Sequence, residues 1–255
     1  MYLYLQILSS YLVGLEAFKH IIEIFIIRRN FSAHSFIEQG TVVHIELQVA
    51  LDFVRLEDAL RIAEIVEDLV DILEAGTPLI KSEGLKSVKK LREKFPTKAI
   101  LADMKTMDTG FLEVSLAAEH GADIVSILGA APDATITSAL EAARERGVKV
   151  MADLIGVKDK PSRARELEKI GVDYILVHVG IDEQKAGLDP LEDLKTISEV
   201  VNTKIAVAGG LTPEKIKRLK GYRVDVVIVG SYIAKSETPR LAAEKVREAV
   251  ECLVK

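Results

Sequence analysis

The chain has 255 residues, 49% of them hydrophobic, and a formal net charge of −5, which is enough apolar material for one large buried core. Its charges are spread along the chain without the basic stripe that a nucleic-acid backbone requires, so nucleic-acid binding is excluded. Cys252 is the single cysteine; an internal disulfide is therefore impossible, and we expect a reducing, cytoplasmic setting.

Residues 1–41 differ in composition from the rest of the chain. They are rich in Ile, Leu and aromatic residues, but Glu16, Lys19 and Glu23 interrupt the run, whereas a membrane-spanning helix needs about 20 nearly uninterrupted apolar residues. A basic start and a small-residue cleavage site are missing, which argues against a secretory signal. Three interpretations of this N-terminal extension stay open: a translation-start artefact, a helix that packs on the main domain or a partner, and a helix on a membrane surface.

From residue 42 onward, short aliphatic runs alternate with longer charged segments of helical period. The runs begin about 20 to 30 residues apart, the size of one strand–helix unit. Their nearly continuous apolar character is typical of parallel strands covered on both faces by helices. The predicted strands are Ile45–Leu51, Val70–Leu73, Ala99–Asp103, Ile124–Ile127, Val148–Leu154, Tyr174–His178, Lys204–Ala208 and Val224–Val229.

Helix-boundary residues support this organisation. Gly147 and Gly171 each follow a charged helical stretch, the usual place for a left-handed residue at a helix C-terminus. Asp189-Pro190 and Thr212-Pro213 each indicate an N-cap followed by proline in the first turn. Eight such units predict one closed (β/α)8 TIM barrel over residues 42–255. An open doubly wound sheet is disfavoured, because Leu51-Asp52-Phe53 lacks a glycine-rich turn after the first strand.

Acidic residues and one lysine lie at the ends of the early strands, where a barrel of this kind carries its chemistry. Asp52, Glu74, Asp103 and Asp153 are predicted to converge there with Lys105. Four carboxylates near one lysine would repel each other unless a cation were present. Mg²⁺ is the expected cation, because it takes a few carboxylates together with water and substrate oxygens.

Three of these features have ordinary structural interpretations as well. Asp103 and Lys105 could form a plain salt bridge, Asp108 could cap the following helix, and His178 could be a buried core residue. At the end of the sixth strand, however, His178 is also placed to transfer protons, since histidine is the side chain that most often serves as an acid or base in enzymes.

Glycines follow the last two strands directly. Gly209 and Gly210 follow the seventh strand, and Gly230 and Ser231 follow the eighth. Backbone N–H groups at glycines can approach an anion closely, and loops at these positions are the usual phosphate site of this fold. The alternative is that both are only tight turns.

The series Asp103-x-Lys105-x-x-Asp108, combined with the two glycine loops, resembles the orotidine-monophosphate decarboxylase superfamily over about residues 45–250. Orotidine-monophosphate decarboxylase itself carries a lysine near the end of the second strand, where this chain has Glu74. Glu74 is similar instead to the metal-dependent branch, the 3-keto-L-gulonate-6-phosphate decarboxylases and the 3-hexulose-6-phosphate synthases. That resemblance implies a Mg²⁺-dependent lyase acting on a sugar phosphate.

Four positions separate the two groups of that branch. The decarboxylases typically have Glu on strand five, Arg after the strand-six His, Thr before Gly-Gly and Arg after the strand-eight Gly. This chain has Asp153, Ile181, Ala208 and Ser231 at those positions, which resembles the synthases. The resemblance thus implies reversible aldol-type condensation of D-ribulose 5-phosphate with formaldehyde, giving D-arabino-3-hexulose 6-phosphate.

The hypothesis at this stage assigns a role to each residue of the site. Glu74 and Asp103 hold Mg²⁺, and His178 transfers the C1 proton. Lys105, near Asp52 and Asp108, stabilises the enediolate or protonates the new alkoxide. The resemblance also implies a homodimer in which Asp108 reaches the neighbouring subunit's site. Decarboxylation of 3-keto-L-gulonate 6-phosphate and a non-catalytic sugar-phosphate-binding barrel remain as alternatives. The substrate and its phosphate are assigned to Asp153, Ala208, Gly209, Gly210, Gly230 and Ser231.

Overall fold

The computed structural model describes residues 44–254, which contain a closed barrel of eight parallel strands in chain order. Every predicted strand is present, and the prediction of a (β/α)8 barrel is confirmed. The N-terminal extension lies outside the described residues, so its three interpretations stay open. The strands are β1 Glu46–Leu51, β2 Ile72–Ala75, β3 Ala99–Thr106, β4 Ile124–Leu128, β5 Lys149–Asp153, β6 Tyr174–His178, β7 Lys204–Ala208 and β8 Val226–Val229.

Eleven α-helices connect and surround these strands in the described range, and a short 3-10 turn, Glu67–Leu69, follows the first of them. None of these helices is both long enough and apolar enough to cross a membrane. The helices are α1 Leu56–Val66, α2 Thr77–Glu83, α3 Lys86–Lys94, α4 Gly110–Glu119, α5 Asp133–Arg146, α6 Lys160–Ile170, α7 Ile181–Lys185, α8 Pro190–Val200, α9 Pro213–Lys217, α10 Ser231–Ala234 and α11 Pro239–Val254.

The predicted helix boundaries are confirmed. Gly147 and Gly171 follow α5 and α6 with φ of 69° and 101°, a left-handed conformation that costs glycine little. Asp189 accepts a hydrogen bond from the backbone N–H of Leu191 at the start of α8. Thr212 caps α9 in the same manner.

The apolar core has two layers. One lies between the outer faces of the strands and the helices. The other fills the barrel interior, where Ile72, Leu101, Met151, Leu176 and Ile228 are buried. The interior layer closes the barrel from below, so polar side chains at the carboxyl ends of the strands stand on an apolar floor.

Four aspartates close the opposite end of the barrel. Each precedes an even-numbered strand, and its carboxylate accepts the backbone N–H of the second residue of the odd-numbered strand before it, at 2.7–2.8 Å. These N–H groups lie at the strand ends, where a buried unpaired donor would cost free energy. The repeated contact therefore fixes the strand starts without using residues of the opposite rim. The four pairs are Asp71 with Leu47, Asp123 with Ile100, Asp173 with Val150 and Asp225 with Ile205.

Candidate active site

A cavity of about 460 Å³ opens at the carboxyl ends of the strands, the size of a small-molecule site. Ten of the twelve predicted site residues line it: Asp52, Glu74, Asp103, Lys105, His178, Ala208, Gly209, Gly210, Gly230 and Ser231. The predicted convergence on one rim is therefore present in the fold. The other two, Asp108 and Asp153, lie outside the cavity lining.

Asp103 and Lys105 lie at an irregular end of β3. Pairing with β4 passes from Ala102 opposite Val125 to Thr106 opposite Ile127. Three residues of β3 therefore face one residue of β4, and the extra residues form a bulge. Lys105 has a φ of 48° there, which is uncommon for a residue with a side chain.

The Lys105 ammonium group lies between two carboxylates. Its Nζ is 2.8 Å from Asp103 Oδ2 and 3.2 Å from Asp153 Oδ2. Burial alone would lower the pKa of Lys105, but these two carboxylates outweigh that effect, and its pKa is raised above the ordinary value. Lys105 is therefore a fixed cation at neutral pH rather than a proton acceptor. The salt bridge with Asp103 is present, but it belongs to a larger network.

Two hydroxyl groups that the sequence analysis did not single out hold the Asp103 carboxylate. Thr77 Oγ1 donates to Asp103 Oδ2 at 2.5 Å, and Ser126 Oγ donates to Asp103 Oδ1 at 2.7 Å. Asp103 is itself only 5% exposed. Charge-assisted bonds of this kind orient a carboxylate firmly, so Asp103 is held rigidly at the cavity floor.

Glu74 lies next to Asp103 and is 7% exposed. Gln48 Nε2 donates to Glu74 Oε2 at 2.5 Å, while Glu74 Oε1 accepts no hydrogen bond from the described residues. Burial, followed by the charges of Asp103 and Asp52, raises the pKa of Glu74 well above its usual value. The amide oxygen Oε1 of Gln48 is buried and likewise finds no partner in the described range. The arrangement leaves negative charge and an open carboxylate oxygen where a cation would be favourable.

Asp153 is fully buried beneath His178. Asp153 Oδ2 lies 2.9 Å from His178 Nδ1, and Asp153 Oδ1 accepts the backbone N–H of Ile155 at 2.9 Å. Burial opposes ionisation of Asp153, but the hydrogen bond from His178 and the charges of His178 and Lys105 prevail, and its pKa is lowered. A carboxylate only accepts hydrogen bonds, so Nδ1 donates and Nε2 is the nitrogen left for a ligand. Asp153 was predicted to contact substrate; here it reaches the cavity only through His178 and Lys105.

The Asp52 side chain projects into the cavity, and the cavity walls surround it. That enclosure, with the charge of Asp103 next in importance, raises its pKa. A Cβ at Gly76 would fall 2.2 Å from Asp52 Oδ1, and one at Gly230 would fall 3.5 Å from Oδ2. Asp52 therefore lies between the loops after β2 and β8, and the absence of a side chain at Gly76 is a condition of its position.

The glycine loops after β7 and β8 form the other side of the cavity. Gly209 has a φ of 127°, and a Cβ there would lie 2.8 Å from the backbone oxygen of Val179. Gly210 has a φ of 60° and is packed equally closely against Gln184. A Cβ at Gly209 would displace the backbone of Val179, whereas one at Gly210 would meet only the flexible end of Gln184. At Gly210 the positive φ itself favours glycine.

Asp108 is exposed and does not line the cavity. It does not cap the following helix: Thr109 occupies that position with a φ of 52°, and the Asp108 carboxylate accepts only the adjacent N–H of Thr109. The interpretation of Asp108 as a helix cap is therefore wrong. Its neighbours Met107, Leu112 and Leu116 are exposed apolar side chains, at 48%, 57% and 37%.

Within residues 44–254 no set of three or more His, Cys, Asp or Glu side chains forms a ready-made metal cage. The donor set is instead two adjacent buried carboxylates, Glu74 and Asp103. That is the usual protein contribution to Mg²⁺, whose remaining positions are taken by water and substrate oxygens. The residues present therefore fit such an ion, and they do not fit zinc.

Comparisons with protein families, curated proteins and solved structures all find relatives in the same family. Residues 46–246 match the model of the orotidine 5'-phosphate decarboxylase / HUMPS family. A 3-hexulose-6-phosphate synthase of Staphylococcus aureus (strain bovine RF122 / ET3-1) is 46% identical over 207 residues, 81% of this chain and 99% of that protein. The crystal structure of 3-hexulose-6-phosphate synthase from Salmonella typhimurium is 41% identical with a TM-score of 0.80, covering 82% of this chain and all of that one.

A third relative is the 3-keto-L-gulonate-6-phosphate decarboxylase of Vibrio cholerae O1 biovar El Tor. Its crystal structure is 30% identical with a TM-score of 0.74, and the match covers 82% of this chain and 98% of that one. Among these relatives the similarity is greater to the synthases than to this decarboxylase.

Proposed function

The chain belongs to the orotidine 5'-phosphate decarboxylase / HUMPS family, as its strand-end motifs predict, and on that premise we propose that it joins D-ribulose 5-phosphate and formaldehyde reversibly into D-arabino-3-hexulose 6-phosphate. The relatives named 3-hexulose-6-phosphate synthase support the reaction. The main supporting observation is the composition of the cavity. Its lining combines Glu74, Asp103, Lys105 and His178 with the glycine loops after β7 and β8.

Two carboxylates, Glu74 and Asp103, would hold Mg²⁺, and the ion would supply positive charge beside the ketone oxygen when the C1 proton leaves. The support for this cofactor is electrostatic. Burial and like charge work against ionisation of Glu74, and a divalent cation is the simplest compensation.

The side chains divide the remaining work. His178 Nε2 takes the proton from C1, because the buried Asp153 carboxylate orients the ring and stabilises the imidazolium that forms. After C1 bonds to the formaldehyde carbon, the imidazolium returns the proton to the formaldehyde oxygen, which becomes the new hydroxyl. Lys105 lies between Asp103 and Asp153 as a permanent cation that stabilises negative charge on the reacting oxygens. Backbone N–H groups at Gly209, Gly210 and Gly230 bind the phosphate and so fix the reacting carbon beside the polar side chains at the strand ends.

Asp108 and the apolar residues around it support a homodimer. Met107, Leu112 and Leu116 form an exposed apolar surface beside Asp108, which is typical of an interaction site. We place a second copy of the chain on this surface, with Asp108 of each subunit contributing to the site of the other. The single cysteine, Cys252, is consistent with a cytoplasmic enzyme.

Complementation tests this arrangement. The variants K105A and D108A are each expected to be inactive, and mixing them with subunit exchange should restore activity, because one site of each mixed dimer is then intact. Failure of every mixture to regain activity, with mixed dimers demonstrated by tagged subunits, would assign Asp108 to its own subunit or to no site.

The residues at the cavity rim argue against the decarboxylase alternative. Ile181 is 57% exposed there, at the position where the decarboxylases typically carry arginine, and an aliphatic side chain cannot guide a carboxylate or water. Ala208 and Ser231 also lack the groups expected of a decarboxylase. We expect at most weak decarboxylation of 3-keto-L-gulonate 6-phosphate.

A direct assay tests the proposed reaction. The protein is mixed with ribulose 5-phosphate, formaldehyde and Mg²⁺, and loss of formaldehyde is followed with and without a chelator. We expect consumption that requires all three components and stops with chelator. Undiminished turnover in chelator, or no turnover beside rapid decarboxylation of 3-keto-L-gulonate 6-phosphate, would contradict the proposal.

A further inference from the structure

The bulge at the end of β3 creates a structural problem beside the reacting groups. Ser126 alone lies opposite three residues of β3, namely Asp103, Met104 and Lys105. Lys105 takes a left-handed backbone conformation there. Such a conformation is strained for a residue with a side chain and persists only when surrounding contacts hold it. Some contact must therefore fix this turn.

Ser126 supplies that contact from the neighbouring strand. Its Oγ accepts the backbone N–H of Lys105 at 3.0 Å and donates to Asp103 Oδ1 at 2.7 Å. Ser126 borders the cavity but is only 1% exposed, so its hydroxyl is committed to these two partners. A single hydroxyl thus uses its donor on the side chain of one functional residue and its acceptor on the backbone of another.

Other contacts at the bulge do not duplicate this role. Thr77 holds the other carboxylate oxygen, Asp103 Oδ2, and leaves the backbone of Lys105 untouched. The Lys105 ammonium contacts Asp103 and Asp153, which orients the far end of the side chain rather than its Cα. Ser126 is the shared support of both groups within the described residues.

We propose that Ser126 is a positioning residue, which sets the Asp103 carboxylate and the Lys105 backbone in the arrangement needed for metal binding and turnover. The inference rests on the proposed function, in which Asp103 binds the metal and Lys105 stabilises charge. Supporting groups around a metal ligand commonly change metal affinity or activity by about 10- to 100-fold when removed.

The test compares S126A and S126T with S87A. Ser87 is a matched control, because it is fully buried, its hydroxyl donates a 2.7 Å hydrogen bond to the backbone oxygen of Gly84, and neither residue lines the cavity. Each variant is characterised by its melting temperature, its kcat and its KM for ribulose 5-phosphate. Its Mn²⁺ affinity is measured by calorimetry on the full chain without substrate.

We expect S126A to lose about 10- to 100-fold in kcat and about 10-fold in Mn²⁺ affinity. KM should change little, because the glycine loops that bind the phosphate lie on the opposite side of the cavity. S126T, which keeps the hydroxyl, should recover most of both losses. S87A should lower the melting temperature while leaving kcat and Mn²⁺ affinity as in the wild type.

Two results would overturn the inference. One is that S126A matches S87A in kcat and in Mn²⁺ affinity. The other is that S126T is impaired as much as S126A, which would assign the effect to packing. A wild type that binds Mn²⁺ but does not consume formaldehyde contradicts the proposed reaction instead. In that case the calorimetric comparison still decides whether Ser126 positions the metal ligand.

Discussion

Replacing Asp153 with asparagine removes one charge from the centre of the catalytic network and almost none of its volume. The Asp153 carboxylate lies 3.2 Å from Lys105 Nζ and 2.9 Å from His178 Nδ1. At these separations, an effective dielectric constant of about 20 gives about 5–6 kcal/mol for each full charge pair, an upper bound on what the substitution removes from either pair.

The more specific loss concerns the protonation of the His178 ring. The asparagine oxygen can keep the bond to the backbone N–H of Ile155, and its NH2 group then faces Nδ1. That contact favours the tautomer with the proton on Nε2, which cannot accept the C1 proton. Loss of a general base typically costs 10²- to 10⁴-fold, about 3–5 kcal/mol in the activation free energy and within the electrostatic bound.

The assay is kcat for formaldehyde consumption by D153N, with D159N as the control. Asp159 is an exposed cap whose carboxylate accepts the N–H of Ser162, so the same chemical change there should leave kcat unaltered. Because the pKa of Asp153 is lowered, its ionised form stabilises the fold above the unfolded pKa, and this contribution is lost as pH falls through the folded pKa. A kcat for D153N within about threefold of wild type would refute the assigned role of His178.

Three further predictions follow from the same structure. E74Q should abolish activity yet stabilise the metal-free protein at pH 8 by about 0.5–2 kcal/mol. The raised pKa of Glu74 makes wild-type stability fall as pH rises from the unfolded to the folded pKa. D173A should cost about 1–3 kcal/mol in unfolding free energy, because the N–H of Val150 loses its acceptor, with kcat unchanged. G209A should raise KM for ribulose 5-phosphate by at least about 10-fold, because the new Cβ contacts Val179 and displaces the phosphate loop.

Each of these has a direct check. Chelator-treated E74Q that melts below wild type at pH 8 would show that burial of Glu74 is not the cost we assign. Urea denaturation of D173A beside D173N, which keeps an acceptor, separates the lost hydrogen bond from the lost charge. For G209A, an unchanged KM would mean that the phosphate binds elsewhere. D173A serves as the control for G209A, because it is also a barrel substitution but leaves the cavity intact.

The barrel could be predicted from the sequence because its strands are nearly continuous apolar runs with charged helical segments between them. The carboxyl end of each run also locates Glu74, Asp103 and His178 at one rim, since parallel strands end at the same edge. Local patterns thus predict the fold and ten of the residues that line the cavity.

The network beneath the rim could not be predicted in this way. Ser126 and Thr77 are common residue types within or beside predicted elements, and their roles depend on the bulge in β3, which apolar patterning does not show. Asp153 looked like a rim residue, but its carboxylate is turned inward to His178. The four aspartates at the opposite end of the barrel have a clearer sequence pattern, because one lies directly before every even-numbered strand.

Exchange of the C1 proton of ribulose 5-phosphate with solvent, followed by NMR in D2O without formaldehyde, tests the central claim most directly. We predict exchange with Mg²⁺ that is lost with chelator and in E74Q and is at least about 10²-fold slower in D153N. Exchange at the wild-type rate without a divalent cation, or none at all in protein that consumes formaldehyde, would contradict the claim that paired carboxylates and His178 activate this carbon.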